Sequence, residues 1–185
     1  EIASCLVGSE MCIRDSFKVN PPLRPDEHVQ ALREALADGT IDAVATDHAP
    51  HATHDKEHAF VDAAFGMLGL ETALPVVHEV MVRSGLLDWA DVARVMSSAP
   101  ARIARLDELE GERRQGQGLV VGAPAHLTLF DPSAVWTVDR DASLSRSRNN
   151  PWHGRQLHGV VQATLRAGRP THSLLPDLPA HTQED

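Results

Sequence analysis

The sequence has no tyrosine, and phenylalanine and tryptophan together make up only 4% of its 185 residues. A stacking platform for single-stranded nucleic acid is therefore not expected. The 17 basic residues are outnumbered by 26 acidic ones and form no patch, which argues against binding to nucleic-acid phosphates. No uninterrupted apolar run approaches the roughly 18 to 20 residues of a membrane span, so no membrane partner is expected.

Cysteine is also scarce. Cys5 and Cys12 are too few for a disulfide framework, which is typical of a protein of the reducing cytoplasm. Both lie in residues 1–16, a stretch with neither helical nor alternating periodicity and without the cationic start of a signal peptide. The run Ser4–Ser16 resembles translated sequencing-adapter sequence. Residues 1–16 are therefore predicted to be non-native, the alternative being a native but irregular segment.

The rest has the composition of a soluble globular protein, with 42% apolar and 23% charged residues. The length suits one domain, or a small domain together with part of a larger one. A change in composition near Gly111–Gly122 predicts two structural regions, over residues 17–110 and 111–175. The Pro-rich polar tail, residues 176–185, is predicted to be disordered.

The first region begins with a pattern typical of a strand, a helix and a second strand. The apolar run 17–19 stops at Asn20 and two prolines, and a helix is predicted from Pro25 to Gly39. Ile41–Thr46 then has the apolar, partly β-branched composition of a buried parallel strand. The three elements predict a right-handed βαβ unit.

Further elements follow from hydrophobic spacing. One helix is predicted over 67–83, where Pro75 marks a first turn or a kink, and another over 88–97 with Asp88 as its N-cap. A short turn is expected over 100–106. In the second region the period changes to that of strands, which are predicted over residues 127–130, 134–138 and 160–165.

Two polar side chains, Asn20 and Asp47, follow the predicted strands of the first region. Catalytic residues of α/β barrels project from the C-terminal ends of strands. An aspartate there can ligate a metal ion and take a proton from the water that the metal activates. The nearby His48 and His51 can ligate, shuttle protons or donate to an anionic substrate. The alternative for Asp47 is a structural cap of the following loop.

The other histidines have simpler interpretations. The spacing of the histidines at 48, 51, 54 and 58 fits no closed structural zinc site, and cysteine ligands are missing. His54 and His58 are predicted to lie in a solvated turn, and His78 is predicted to be a hydrogen-bonded core residue of an apolar helix.

Three motifs together resemble bacterial dihydroorotases of the amidohydrolase superfamily. They are Asn20–Arg24 (NPPLR), Ala45–His51 (ATDHAPH) and the Phe65-Gly66 pair before a helix. Gly118–Pro132 resembles the superfamily's β-sandwich strand, and residues 145–152 resemble a motif beyond it. The implied fold is α/β: the C-terminal part of a TIM-like (β/α)8 metal-dependent hydrolase barrel, plus part of a small β-sandwich domain.

The resemblance implies a cytoplasmic, zinc-dependent enzyme that reversibly closes N-carbamoyl-L-aspartate to (S)-dihydroorotate in pyrimidine biosynthesis, with two zinc ions per active site. Asp47 matches the family aspartate that binds zinc and serves as general acid and base. Asn20 and His51 match substrate-binding positions, and Phe65 and Gly66 match a loop that holds the pyrimidine ring. Expected partners are this small-molecule substrate and either a second copy, in a homodimer, or aspartate transcarbamoylase.

The chain departs from the family pattern in two respects. His126 replaces the usual aspartate of the β-sandwich strand. Family members also place a His-x-His pair and further metal ligands upstream of anything in this sequence, so the chain is expected to be a truncated fragment, inactive alone. Two alternatives stay open: another cyclic amidohydrolase, such as an allantoinase or hydantoinase, and a non-catalytic dihydroorotase-like subunit that scaffolds aspartate transcarbamoylase.

Overall fold

The structure, a computed structural model, describes residues 17–180. The prediction for residues 1–16 and half of that for the tail lie outside these residues. The helices come first in the chain and a three-stranded sheet follows. The helices are α1 (Asp26–Ala37), α2 (Thr53–Lys56), α3 (Ala73–Val77, continued by a π-helix over His78–Val82), α4 (Trp89–Ala93, continued by a π-helix over Arg94–Ser98), α5 (Ala99–Ile103) and a 3₁₀ turn (Gly111–Arg113). The strands are β1 (Leu127–Thr137), β2 (Gln156–Arg166) and β3 (Arg169–Ser173).

Helix α1 confirms the prediction from Pro25 to Gly39. Pro25 is the N-cap, and two acidic residues occupy the first turn, where the helix dipole favours them. Gly39 follows the helix with φ of +86°, a left-handed conformation that ends helices at low cost for glycine. Leu36 is buried, so the face of α1 that carries it packs against the core.

The two strands predicted on either side of α1 were wrong. Neither residues 17–19 nor Ile41–Thr46 form a strand in the described part of the chain. A parallel strand exists only through hydrogen bonds to neighbouring strands. Here Val44 donates its N–H to the carbonyl of Val95 at 3.0 Å, a helix rather than a strand, and His48 makes one isolated parallel bridge. Ile41–Thr46 thus has the composition of a strand without strand partners.

The later helices agree with prediction in kind and differ in extent. Helix α3 begins at Ala73 rather than residue 67, and Pro75 sits in its first turn, where a missing N–H costs nothing. Asp88 caps α4 in a capping box with Asp91. The helix predicted over 88–97 runs on through α5, because its backbone continues as π-helix and then α-helix where a short turn was expected.

The sheet has the order β1-β2-β3 and is antiparallel throughout. The strands predicted over 127–130 and 134–138 are one strand, since a register shift between Asp131 and Val135 accommodates Pro132. The prediction over 160–165 is confirmed within β2. Strand β3 was missed; it follows a tight turn of Ala167 and Gly168, both at positive φ.

The core lies among the helices. Its buried side chains come from α1, α3, α4 and the segment between them: Leu36, Val77, Met81, Leu87, Val92 and Val95. The sheet joins this core through a ring cluster of His78, Trp89 and Phe130, with centroids 5.2 to 5.7 Å apart. His78 is 6% exposed and hydrogen-bonds the His158 carbonyl from Nδ1 at 3.1 Å, which confirms it as a core histidine. No helix in the described residues is long and apolar enough to cross a membrane.

Candidate active-site loops

Four of the five site residues predicted from the sequence, Asp47, His51, Phe65 and Gly66, lie on two adjoining loops, 47–51 and 64–68. His48 forms the parallel bridge with Met67, and Ala49 donates its N–H to the Met67 carbonyl at 2.9 Å. The imidazole of His48 accepts at Nδ1 from the N–H of Gly69 at 3.1 Å. His48 therefore carries its neutral-form proton on Nε2 and serves to hold the second loop against the first.

His51, Phe65 and Gly66 meet directly. Nε2 of His51 lies 2.7 Å from the Phe65 carbonyl, which can only accept, so Nε2 is the donor and Nδ1 is the remaining ring nitrogen. Gly66 has φ of +141°, and a Cβ there would lie 2.6 Å from Cβ of Ala49 and 2.8 Å from Nε2 of His51. Only glycine lets the loop backbone approach the histidine this closely.

Buried donors and acceptors fix the backbone of Gly66. Its N–H donates to the carbonyl of Lys18 at 2.8 Å, and its carbonyl accepts from Nζ of Lys56 and Nδ2 of Asn149, each at 3.0 Å. Lys18 is itself buried, and its ammonium lies 4.5 Å from the centroid of the Phe65 ring. The loop is thus held from three separate segments of the chain.

The segment between β1 and β2 contributes residues to which the sequence analysis gave no role. Asn149 also donates to the Ala49 carbonyl at 3.0 Å, and the Ser147 hydroxyl accepts from the N–H of His51 at 2.9 Å. The same hydroxyl contacts the His51 carbonyl and Oδ1 of Asn149. In the sequence, Ser147 and Asn149 were recognisable only as part of the motif over 145–152. That motif resembles the family but does not indicate which residues it contacts.

Asn20 and Asp47 are exposed, and the structure does not join them to the other predicted site residues by hydrogen bonds. Asn20 lies two residues beyond Lys18, on the segment that holds Gly66. Asp47 has φ of +46°, and its carboxylate accepts no hydrogen bond from the described residues, which gives no support to the capping alternative. The carboxylate is open to a ligand on the exposed side of the loop.

The described residues do not by themselves fit a metal ion. Within residues 17–180, no group of three or more His, Cys, Asp or Glu side chains is placed to hold one. His54 and His58 are exposed, but the solvated turn predicted for both is right only for His58, since His54 lies in helix α2 and contacts its neighbour Asp55 at 3.4 Å. Asp47 can therefore be at most one ligand of a zinc site.

Two cavities lie away from these loops. One, of about 350 Å³, is lined by the segment 114–127, and the other, of about 590 Å³, lies between α1 and the region of Trp152. Neither is lined by any of the five predicted site residues.

The fold of this chain is similar to parts of solved hydantoinase structures. The fold matches an L-hydantoinase (dihydropyrimidinase) from Arthrobacter aurescens at a TM-score of 0.78 and 31% identity, over 88% of this chain and 36% of that one. It also matches a D-hydantoinase from a Thermus species at 0.73 and 24% identity, over 86% and 34%. The chain thus shares the fold of part of a cyclic amidohydrolase.

The sequence is more specific than the fold. The chain is 54% identical over 154 residues to the dihydroorotase of Mycobacterium tuberculosis, which is 83% of this chain and 34% of that protein. It is 53% identical over 155 residues to the dihydroorotase of Streptomyces coelicolor, over 84% and 35%. No family model matches. The chain is homologous to bacterial dihydroorotases, as its motifs predicted, and spans about a third of their length.

Proposed function

We propose that this chain is part of a dihydroorotase, the cytoplasmic hydrolase that interconverts N-carbamoyl-L-aspartate and (S)-dihydroorotate in pyrimidine biosynthesis. The observation that carries the proposal is the contact of His51 with the Phe65-Gly66 backbone. That contact brings together two of the motifs, 14 residues apart in sequence, and Asp47 lies on the same loop as His51. The homology to dihydroorotases supports this substrate over other cyclic amides.

In the proposed reaction Asp47 carries the proton. Opening of the dihydroorotate ring adds water to an amide carbonyl and breaks the carbon–nitrogen bond, so one proton must leave the water and one must reach the departing nitrogen. An exposed carboxylate at the loop end can accept the first proton and return it to the nitrogen, which leaves Asp47 unchanged after each turnover. Ring closure runs the same transfers in reverse.

The remaining site residues are proposed to bind and orient. Asn20 and His51 are assigned to the polar groups of the substrate, and the backbone at Phe65 and Gly66 to the ring. Because Nε2 of His51 is engaged with the Phe65 carbonyl, Nδ1 is the atom left for substrate. A fixed ring orientation of this kind lowers the entropy lost on binding.

Zinc, two ions per active site in the intact enzyme, is part of the proposal through the family resemblance alone. Asp47 is the one ligand assigned to it in this chain. The proposed organisation is a barrel portion over residues 17–110 and a β-sandwich portion over 111–175, with 176–185 as a tail. A homodimer or a complex with aspartate transcarbamoylase is the proposed assembly.

Hydantoinase activity is a second candidate, because an L-hydantoinase shares the fold and is 31% identical to this chain where the two align. Both reactions open a cyclic amide, so the fold does not separate them. The NPPLR motif at Asn20 and the Phe65-Gly66 pair favour dihydroorotate.

A chimera tests the proposal. The matched segment of the M. tuberculosis dihydroorotase is replaced by the corresponding residues of this chain, and ring opening of dihydroorotate, dihydrouracil and hydantoin is measured. We expect kcat/KM to be highest for dihydroorotate. A preference for hydantoin would favour the second candidate, and a folded chimera that is inactive on all three would indicate a non-catalytic segment.

A further inference from the structure

Asn149 is a buried polar residue that touches both loops of the candidate site. Its side chain is 3% exposed and lies between β1 and β2 in the chain, about a hundred residues from the first loop. Nδ2 donates to the carbonyls of Ala49 and Gly66, each at 3.0 Å. One amide group therefore spans the gap between the two loops.

The orientation of this amide is fixed from its other side. Oδ1 contacts the hydroxyl of Ser147, which in turn accepts from the N–H of His51. The backbone carbonyl of Asn149 accepts from the N–H of Leu68 at 3.1 Å. Because the oxygen end is engaged with a hydroxyl, the two amide hydrogens face the two loop carbonyls, and the contact needs an amide at this position.

We propose that Asn149 is a positioning residue, which sets the separation of the 47–51 and 64–68 loops and thereby the affinity of the site for its substrate. The inference rests on the proposed function in one respect, since it takes these loops to bind the substrate. Asn149 itself makes no contact with substrate in this proposal. It acts through the backbone of Ala49 and Gly66, and through Ser147 on His51.

The expected effect falls on binding more than on turnover. Loss of the amide leaves one buried and one part-buried carbonyl with fewer donors and loosens the two loops, although the direct contacts between them remain. The carbonyl of Gly66 keeps its hydrogen bond from Lys56, so the loop is loosened rather than released. Because substrate-binding groups on loosened loops are less well positioned, we expect KM to rise about ten- to a hundredfold, with a smaller change in kcat.

The test uses the chimera with three substitutions. Asn149→Ala removes the amide, and Asn149→Asp keeps its size but turns an acceptor toward the two carbonyls. Asn150→Ala is the matched control: Asn150 is also buried, but its Oδ1 accepts from the N–H of Trp152 and reaches neither loop. Hydrogen exchange of residues 49–51 and 64–68 is measured by mass spectrometry, together with KM and kcat for dihydroorotate.

We expect both Asn149 variants to speed exchange in the two loops and to raise KM, while Asn150→Ala changes neither. Exchange in the loops that stays at the unsubstituted level in Asn149→Ala overturns the inference, whatever the activity. Equal effects from Asn150→Ala would also overturn it, since they would mark a general loss of stability. Failure of the proposed function is recognised separately, as a chimera without dihydroorotase activity before any substitution, and the exchange comparison still decides the role of Asn149.

Discussion

The sheet and the candidate site obtain their hydrogen-bond partners from different distances along the chain. Strand β1 pairs with β2, and β2 pairs with β3, so each strand has a partner that is next to it in sequence. The whole sheet therefore lies within about fifty consecutive residues of the chain. The two site loops bond to each other across 14 to 21 residues and are also held across 83 to 100 residues, by Asn149 and Ser147. The segment Ile41–Thr46, which leads into the site, has no strand partner in the described residues at all. The sheet is thus built within one stretch of sequence, whereas the site combines local contacts between its two loops with contacts from a distant segment.

A polar contact joins the π-helix that continues α3 to the sheet. Glu79, next to the core histidine of the π-helix, contacts Nδ1 of His158 in β2 at 3.0 Å, and Arg83 lies 3.7 Å from the same carboxylate. Burial raises the pKa of Glu79, but the hydrogen bonds from His158 and the charge of Arg83 outweigh it, so the net pKa lies below its ordinary value.

The largest effect is expected at Asp47. In the chimera, Asp47→Asn should lower kcat by about a hundred- to ten-thousandfold, the usual contribution of a general acid and base. Asparagine tolerates the positive φ of this position, so the loop should keep its conformation. Steady-state kinetics and circular dichroism are the measurements. Activity within tenfold of the unsubstituted chimera would falsify the assignment of Asp47.

A smaller loss is expected at His51, and two variants divide its contacts. Gln places a donor near the position of Nε2, so His51→Gln should keep the bond to Phe65 and lose the substrate contact of Nδ1. His51→Ala loses both. We expect affinity for dihydroorotate to fall about ten- to a hundredfold in each, with greater loop exchange only in the alanine variant.

The matched control for His51 is His54→Ala, because His54 is exposed and, among residues 17–180, forms an ion pair with its neighbour Asp55 alone. It should leave affinity unchanged. If His51→Ala instead lowers the zinc content of the chimera by one ion while binding persists, His51 is a metal ligand and its role here is wrong.

Gly159 tests the sheet side of the comparison. It lies in β2 at φ of +100°, and a Cβ there would collide with the ring of Phe130, 2.8 Å from Cε2. Gly159→Ala should displace this ring from its cluster with His78 and Trp89 and destabilise the protein by about 1–3 kcal/mol. Gly168→Ala has a similar φ of +81° but open space around the new methyl, so it measures backbone strain alone. Equal melting temperatures for the two variants would show that the ring contact contributes nothing.

The smallest effect concerns pH and the contact of Glu79 with His158. Because the pKa of Glu79 is lowered on folding, its contribution is present above the ordinary carboxyl pKa and is lost as pH falls through the folded-state value. With a partly exposed pair, the loss should stay under about 1 kcal/mol after screening. Glu79→Gln should flatten the decline of melting temperature between about pH 6 and pH 3 relative to the exposed control Asp42→Asn. If the melting temperature of Glu79→Gln falls with pH as steeply as that of the control, Glu79 does not contribute to the pH dependence of stability.

The same difference in distance explains what the sequence could predict. Helix α1 and the capping of α4 by Asp88 were readable because caps, glycine stops and spacing act within a few residues. Strand β3 was missed because its pairing depends on a two-residue turn at positive φ. Alanine at position 167 is not a residue that predicts such a turn. Ile41–Thr46 was misassigned because composition records what a strand would bury and not whether a partner strand is present.

For the site, the motifs indicated candidate residues but not their contacts. Gly66 was named from a family resemblance, and its physical reason, the close approach to His51, required coordinates. Asn149 and Ser147 carried no signal of their own beyond the motif in which they stand. Their effect is exerted through the backbone of distant loops, and no local pattern in a sequence encodes such a contact.

The most direct test of the account is the zinc content of this chain alone compared with that of the chimera. Residues 17–185 and the chimera are purified in parallel, and bound zinc per chain is measured after exhaustive dialysis. We expect no stoichiometric zinc in the isolated chain, where Asp47 is the one proposed ligand, and two ions per chain in the chimera. Two zinc ions bound to the isolated chain would contradict it, because the described residues would then hold a metal site on their own.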